Sequence, residues 1–263
     1  MVWHETTSPA VVVMLTQTTE AARDKCFPYY PESLEAPILP LNPQNEYEDG
    51  FIHELKLTSL EDREDVRAEV RELDMTTEDG SESKKTWHLL FAGWPDFLVP
   101  QGDDRDALLR LIDLSREKNT DDETNPRIVH CSAGVGRSGT FIALDWLLQE
   151  LEEGSLDEVQ DNEDPVITVV SNMRKQRMMM VQSEAQFVFI YDLLKERWRD
   201  RWISQHPEEA ERLGVGRRLS EGQEGPRLKR QKSQKQHEGD EEENVESEAE
   251  LFDADIDVDK DDA

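Results

Sequence analysis

HCSAGVGRSGT, residues 130–140, is the stretch that decides the fold of this chain. Arg127–His130 before it predicts a short strand, and the apolar period of Gly139–Leu151 after it predicts a buried helix. Its small residues and glycines allow successive backbone N–H groups to point at one centre, which creates a nest for a tetrahedral anion at the helix N-terminus. These features predict a phosphate cradle. Its residues are Ser132, Ala133, Gly134, Val135 and Gly136.

Two side chains of this stretch, Cys131 and Arg137, carry its expected chemistry. The N–H dipoles, the helix end and the Arg137 charge all favour the thiolate of Cys131 over the thiol, so we expect a nucleophile. The planar fork of Arg137 can grip two phosphate oxygens. Ser138 can donate a hydrogen bond to the sulfur and help it leave a covalent intermediate. His130 has two open interpretations: it holds the cysteine backbone, or it is an ordinary buried histidine.

Strands and helices alternate over most of the remaining chain. Val11–Leu15 is a continuous apolar run typical of a strand buried on both faces. Pro37–Pro43 predicts a loop because it is rich in turn formers. Ser183, with Gln186 three residues later, predicts a capping-box start for a helix that continues toward Trp202. Further strands are predicted within residues 51–57, 66–73 and 87–91, and further helices at residues 105–116 and 166–175.

Charge and cysteine content argue against several classes of protein. The formal net charge is −30, so a nucleic acid would be repelled before specific contacts formed. Only two cysteines occur, Cys26 and Cys131, in no metal-binding or disulfide pattern, which favours a reducing compartment. We find no apolar run long enough to span a bilayer, and Met1–Ala10 lacks a signal-peptide core. We expect a soluble cytoplasmic protein without membrane contact, and its oligomeric state stays open.

Four segments in one order along the chain resemble tyrosine-specific, non-receptor protein tyrosine phosphatases. The cradle has that family's cysteine and arginine with five residues between them. Trp94-Pro95-Asp96 is similar to the family's mobile acid loop, and residues 173–186 are similar to its glutamine loop. Val12–Thr16, with Glu20, Lys25 and Cys26, is similar to the segment that supports the arginine. The resemblance covers roughly residues 1–205 and implies an α/β (α+β) fold with a twisted mixed central sheet flanked by helices.

The resemblance also implies roles for individual residues. Asp96 would protonate the leaving tyrosyl oxygen and then act as base on a water positioned by Gln182, with Gln186 as an assistant. Glu20 would pair with Arg137, Trp94 would support the acid loop, and Lys25 would lie near that loop. No metal or cofactor is implied. The expected partners are phosphotyrosine-containing proteins, which would be hydrolysed through a phosphocysteine intermediate.

The chain departs from the family pattern at its beginning and after the acid loop. Met1-Val2-Trp3 aligns with an internal family segment, so we expect a catalytic domain, residues 1–213, that lacks its N-terminal part and its tyrosine-recognition loop. Such a loss predicts exposed apolar surface and unpaired strand edges around Val11–Leu15, poor solubility and weak activity. Leu98 stands where many members have glycine.

Three functions are therefore compared. The first is an active phosphotyrosine phosphatase. The second is a weakly active or inactive phosphotyrosine-binding module, which the intact Asp96 and Gln182 disfavour. The third is a dual-specificity phosphatase with a shallow pocket, which the glutamine loop disfavours.

The last segment of the chain, residues 214–263, has a different composition. A basic cluster around residues 227–235 is followed by a nearly unbroken acidic run. Such a composition cannot bury enough apolar area to offset the entropy of ordering, so we predict a disordered tail. The basic cluster leaves a nuclear-import role open, beside the cytoplasmic location expected above.

Overall fold

A computed structural model describes residues 1–215, apart from residues 47, 49, 122 and 161. Its strands are β1 (Ala10–Met14), β2 (Thr19–Glu20), β3 (Arg23–Asp24), β4 (Ile38–Leu41), β5 (His53–Arg63), β6 (Ala68–Thr77), β7 (Ser83–Phe91) and β8 (Ile128–His130). Its helices are α1 (Val2–Glu5), α2 (Asp103–Lys118), α3 (Gly136–Glu153), α4 (Pro165–Gln176), α5 (Glu184–Gln205) and α6 (Pro207–Leu213), with a 3₁₀ turn at Ser155–Glu158. The tail predicted for residues 214–263 lies outside the described residues from position 216 onward, and its boundary stays a prediction.

Six strands form one mixed sheet in the order β4-β5-β6-β7-β1-β8. Strand β1 lies between β7 and β8 and is parallel to both, with Val12 opposite His88 on one side and Ile128 on the other. Its residues join two separate buried clusters, Val11 and Val13 on one face and Met14 on the other. The mixed sheet confirms the fold expected from the resemblance.

The expectation of unpaired edges and exposed apolar surface around Val11–Leu15 was wrong. Strands β7 and β8 satisfy the β1 backbone on both sides, and every residue of β1 is buried. Two packed clusters, one on each face of the sheet, remove this strand from water.

The carboxyl ends of the three parallel strands position the site. Because β7, β1 and β8 run in the same direction, the segments that follow them meet at one edge of the sheet, where ligands of such sheets bind. These segments begin at Leu15, Ala92 and Cys131. Side chains at this edge therefore come from parts of the sequence that are far apart.

Most of the predicted elements are confirmed. The central strand, the strand before Cys131 and the four long helices occur close to their predicted bounds. The prediction of a loop over Pro37–Pro43 was wrong, since Ile38–Leu41 forms β4, which pairs with β5 at the edge of the sheet. An edge strand tolerates Pro40 because the position of its missing N–H can face solvent, where no partner strand needs a donor. Within the part of the chain that the structure describes, no helix is long and apolar enough to cross a membrane.

Candidate active site

The turn between β8 and α3 contains the segment that was predicted to form an anion cradle. Gly134 has a φ of 69°, in the left-handed region that glycine adopts without steric cost. Two bonds to carbonyl oxygens fix the turn: Arg177 Nη2 donates to Ala133 at 2.9 Å, and the N–H of Val181 donates to Val135 at 3.1 Å. Ser132 and Ala133 are exposed, so solvent reaches the mouth of the cradle.

The thiol of Cys131 lies at the base of this turn and is only 6% exposed. Burial acts to raise the pKa of Cys131, but the nearby Ser138 hydroxyl, the backbone N–H groups of Ser138 and Gly134 and the Arg137 charge outweigh it and lower the pKa below the ordinary value. Ser138 Oγ is buried and makes no hydrogen bond of standard geometry to another described residue. Its contact with the sulfur is therefore the role left for this hydroxyl.

The guanidinium of Arg137 is almost fully buried, with its side chain 1% exposed. Nη1 donates to Glu20 Oε1 at 2.6 Å and to the Trp94 carbonyl oxygen at 3.1 Å. Nη2 lies 3.3 Å from Thr16 Oγ1 and 3.2 Å from Asp96 Oδ1. Nε is buried and has no hydrogen-bond partner in the described chain. Nη1 is thus fixed by the protein, Nε is unpaired, and Nη2 contacts Thr16 and Asp96. If Asp96 moves away, Nε and Nη2 form one edge that can bind two oxygens of an anion.

Asp96 lies directly against this fork. Its Oδ2 accepts from Lys25 Nζ at 2.8 Å, and its side chain is 30% exposed. Trp94 is 2% exposed, and its indole N–H donates to the Leu98 carbonyl oxygen at 3.0 Å, which closes the acid loop on itself. Leu98, which replaces the glycine of many family members, has an exposed side chain. The structure brings Asp96, Lys25, Trp94 and Glu20 together around Arg137.

The segment before α5 packs tightly on the cradle. A Cβ at Gly139 would lie 2.5 Å from the backbone nitrogen of Val181, so only glycine permits this approach. Gln182 is exposed beside the cradle, and its side chain stays a candidate for binding water or substrate. Arg174, which was not singled out from the sequence, donates to the carbonyl oxygens of Met180 and Val181 at 2.9 and 2.8 Å.

Gln186 has a different position from Gln182. Its side chain is 1% exposed, and its Oε1 accepts from the N–H groups of Gln182 at 3.1 Å and Ser183 at 3.3 Å. Together with Ser183 it forms the predicted capping box of α5. The geometry makes Gln186 a residue that fixes the loop, and a substrate contact for it stays a prediction.

Behind the cysteine lies a polar group that the sequence did not reveal. His130 Nδ1 is 3.1 Å from the Cys131 carbonyl oxygen, and its Nε2 is 2.6 Å from the hydroxyl of Tyr29. The same hydroxyl lies 3.1 Å from Nε2 of His88, a residue on β7 with no exposed surface. Burial lowers the pKa of both His130 and His88, so both rings are neutral at pH 7. This geometry supports the first of the two interpretations of His130.

A known protein family matches most of the chain. Residues 1–196 match the family described as Protein-tyrosine phosphatase. The chain therefore belongs to the protein-tyrosine phosphatase family.

Individual relatives are similar to this chain over most of its length. Tyrosine-protein phosphatase 1 of Schizosaccharomyces pombe is 32% identical over 197 residues, which cover 74% of this chain and 33% of that protein. The crystal structure of the Trypanosoma cruzi protein tyrosine phosphatase TcPTP1 has a TM-score of 0.61 and 30% identity, over 72% of this chain and 60% of that one. A structure of PTPN18 in complex with HER2-pY1248 phosphopeptides has a TM-score of 0.57 and 26% identity, over 72% of this chain and 63% of that one. The chain spans about a third of the length of its yeast relative.

Proposed function

We propose that the chain hydrolyses phosphotyrosine in proteins through a phosphocysteine intermediate. The observation that carries this proposal is the Cys131 thiol, whose pKa is lowered, at the base of the predicted anion cradle beside Arg137, whose buried Nε has no hydrogen-bond partner among the described residues. Membership of the protein-tyrosine phosphatase family supports it. PTPN18, which is similar in fold, is described with phosphopeptides, and this supports phosphotyrosine-containing proteins as the substrate class.

In the first step the phosphate enters the cradle and takes the free positions of Arg137. Two of its oxygens accept from Nε and Nη2, which displaces the Asp96 side chain from its present position 3.2 Å from Nη2, and Asp96 enters the reaction carrying a proton from solvent or from the preceding turnover. The Cys131 thiolate then attacks phosphorus and the bond to the tyrosyl oxygen breaks. Asp96, in its protonated form, gives its proton to that oxygen, so that a neutral phenol leaves.

In the second step water hydrolyses the phosphocysteine. Asp96, now a carboxylate, takes a proton from a water that the exposed side chain of Gln182 positions. The P–S bond breaks and the sulfur leaves as a thiolate, which the Ser138 hydroxyl and the cradle N–H groups stabilise. Inorganic phosphate departs and the starting state is restored.

A phosphotyrosine-binding module with little turnover is the competing function. Such a binding module needs only the cradle and Arg137. Its function does not explain why Asp96 lies against the expected position of the phosphate. Because Asp96 is 2.8 Å from Lys25 and 3.2 Å from Arg137, the acid is already beside the reacting centre. This arrangement favours the enzyme.

Phosphate release from phosphotyrosine and phosphoserine peptides tests the proposal. We expect wild-type turnover on phosphotyrosine only, loss of turnover in Cys131→Ser, and a loss of about 10²- to 10⁴-fold in Asp96→Ala, the usual contribution of a general acid. Both variants should still bind the phosphotyrosine peptide. Peptide binding by wild-type protein without turnover above Cys131→Ser would establish the binding module instead, and equal rates on both peptides would remove the tyrosine preference.

A further inference from the structure

The acid loop lies against helix α2 at Gly93. Gly93 lies just before Trp94, where the chain leaves β7 and enters the loop. A Cβ at Gly93 would lie 2.4 Å from Asp104 Oδ1 and 2.9 Å from Phe91 Cζ, closer than atoms approach in proteins. The carboxylate of Asp104, in the first turn of α2, therefore rests directly against the main chain at the start of the loop.

Asp104 forms an ion pair with an arginine from another element, although its buried Oδ1 accepts no hydrogen bond of standard geometry from the described residues. Arg67 Nε lies 3.0 Å from Asp104 Oδ1, and the side chains are 48% and 29% exposed, respectively. Arg67 belongs to the turn between β5 and β6 and has a φ of 48°, an uncommon conformation for a residue with a side chain. The first turn of α2 also contains the acidic residues Asp103 and Asp106 and one cation, Arg105, which pairs with Glu196 instead.

The same turn is joined to α2 at a second point. Arg110 Nε donates to the main-chain carbonyl oxygen of Asp65 at 2.6 Å. Val66, between the two tethered residues, is 2% exposed and belongs to the same buried cluster as Ala107 and Leu108 of α2. The hairpin end, the first turn of α2 and the beginning of the acid loop are thus packed as one unit.

Two residues, Trp94 and Pro95, separate Gly93 from Asp96, the proposed general acid. Gly93 is followed by Trp94, whose carbonyl oxygen accepts from Arg137 Nη1 at 3.1 Å, and then by Pro95 and Asp96. A shift of Gly93 moves this main-chain contact and the Asp96 carboxylate together. An acid that is misplaced by about 1 Å loses much of its effect on the rate.

We infer that Arg67 and Asp104 are positioning residues for the general acid: their ion pair fixes the carboxylate that supports Gly93 and so sets where Asp96 stands. This inference rests on the proposed phosphatase function and deepens it. The residues touch neither phosphate nor the reacting atoms. Their effect should therefore fall on the step that needs the acid and spare the thiolate.

The dependence of kcat/KM on the leaving group distinguishes a misplaced general acid from a general loss of structure. A poor leaving group such as phenol needs the acid, whereas 4-nitrophenol leaves readily without it. We expect kcat/KM for phenyl phosphate to fall about two- to fivefold in Arg67→Ala and in Asp104→Asn, a change of the size that partly exposed ion pairs produce. The value for 4-nitrophenyl phosphate should change less, and Arg67→Lys, which keeps the charge, should recover most of the loss.

Control variants distinguish an effect on the general acid from a general effect of changing the hairpin. Arg63→Ala removes a two-pronged ion pair with Asp65 inside the same hairpin and should leave the ratio of the two substrates unchanged. The rate of Cys131 alkylation should be the same in all these variants. Wild-type protein without turnover would overturn the phosphatase function itself. If the wild type is active but Arg67→Ala keeps the wild-type substrate ratio, or matches Arg63→Ala, the positioning inference alone is wrong.

Discussion

The hydroxyl oxygen of Tyr29 lies 2.6 Å from Nε2 of His130 and 3.1 Å from Nε2 of His88. These two distances, together with the position of the Cys131 carbonyl oxygen, determine which ring nitrogen of each histidine carries the proton. His130 Nδ1 faces the Cys131 carbonyl oxygen, which can only accept, so Nδ1 carries the ring proton and Nε2 accepts from Tyr29. The hydroxyl has a single proton to donate, so Nε2 of His88 donates to it. The chain of bonds from His88 to the cysteine backbone is therefore consistent with two neutral rings.

Removing the Tyr29 hydroxyl tests this chain of bonds. Tyr29→Phe leaves Nε2 of His130 without its donor in a buried position, so we expect about 1–3 kcal/mol less stability against unfolding. We also expect a fall in kcat/KM, because the ring that holds the Cys131 carbonyl is then free to rotate. Chemical denaturation and steady-state kinetics measure the two effects. Unchanged stability would show that water replaces the hydroxyl without loss.

His88 should give the fold a pH dependence. Burial lowers the pKa of His88 from 6.5 to about 3, so the unfolded chain binds a proton between these values and the folded chain does not. The free energy of unfolding must then fall as the pH decreases from 6.5 toward 3, and rise with pH across the same window. His88→Gln keeps a polar side chain that cannot titrate, so its pH slope should be shallower than that of the wild type. Parallel slopes for the two proteins would contradict the assignment.

The thiol of Cys131 should react as a thiolate at lower pH than a free cysteine. Its pKa is below the ordinary value despite burial, because Ser138, Gly134 and Arg137 stabilise the anion. The rate of alkylation by iodoacetate should therefore reach half its maximum below the midpoint of a model thiol. Ser138→Ala should move that midpoint upward, while Cys26, whose pKa is raised by burial, should react slowly at neutral pH. A midpoint at the ordinary value in folded protein would leave the site without a nucleophile.

The two glutamines before and within α5 should affect different properties. Gln182 is exposed at the cradle, so Gln182→Ala should lower kcat and let phosphocysteine accumulate, which appears as a burst of the released phenol. Gln186 accepts from the N–H of Gln182 and from the capping-box N–H of Ser183, so Gln186→Ala should cost about 0.5–2 kcal/mol of stability. Equal bursts of released phenol in Gln182→Ala and Gln186→Ala would contradict a kinetic role for Gln182 and a structural role for Gln186.

Local sequence patterns predicted those elements that depend on residues close together in the sequence. The capping box at Ser183, the buried strand at Val11–Leu15 and the turn around Gly134 depend on neighbours within a few positions, so they could be found from spacing alone. The edge strand Ile38–Leu41 was missed because Pro40 and its neighbours read as turn formers. Only pairing with β5, which is distant in sequence, makes that segment extended.

The amino-acid sequence by itself determined that an anion nest with a thiol and a guanidinium would form between a strand and a helix, since those groups lie within seven consecutive residues, 131–137. Tertiary structure alone decided what surrounds them. Tyr29 reaches His130 across 101 positions, and Lys25 reaches Asp96 across 71 positions, because parallel strands bring their carboxyl ends to one edge of the sheet. No periodicity along the chain encodes such contacts, whose partners are chosen by the order and direction of the strands.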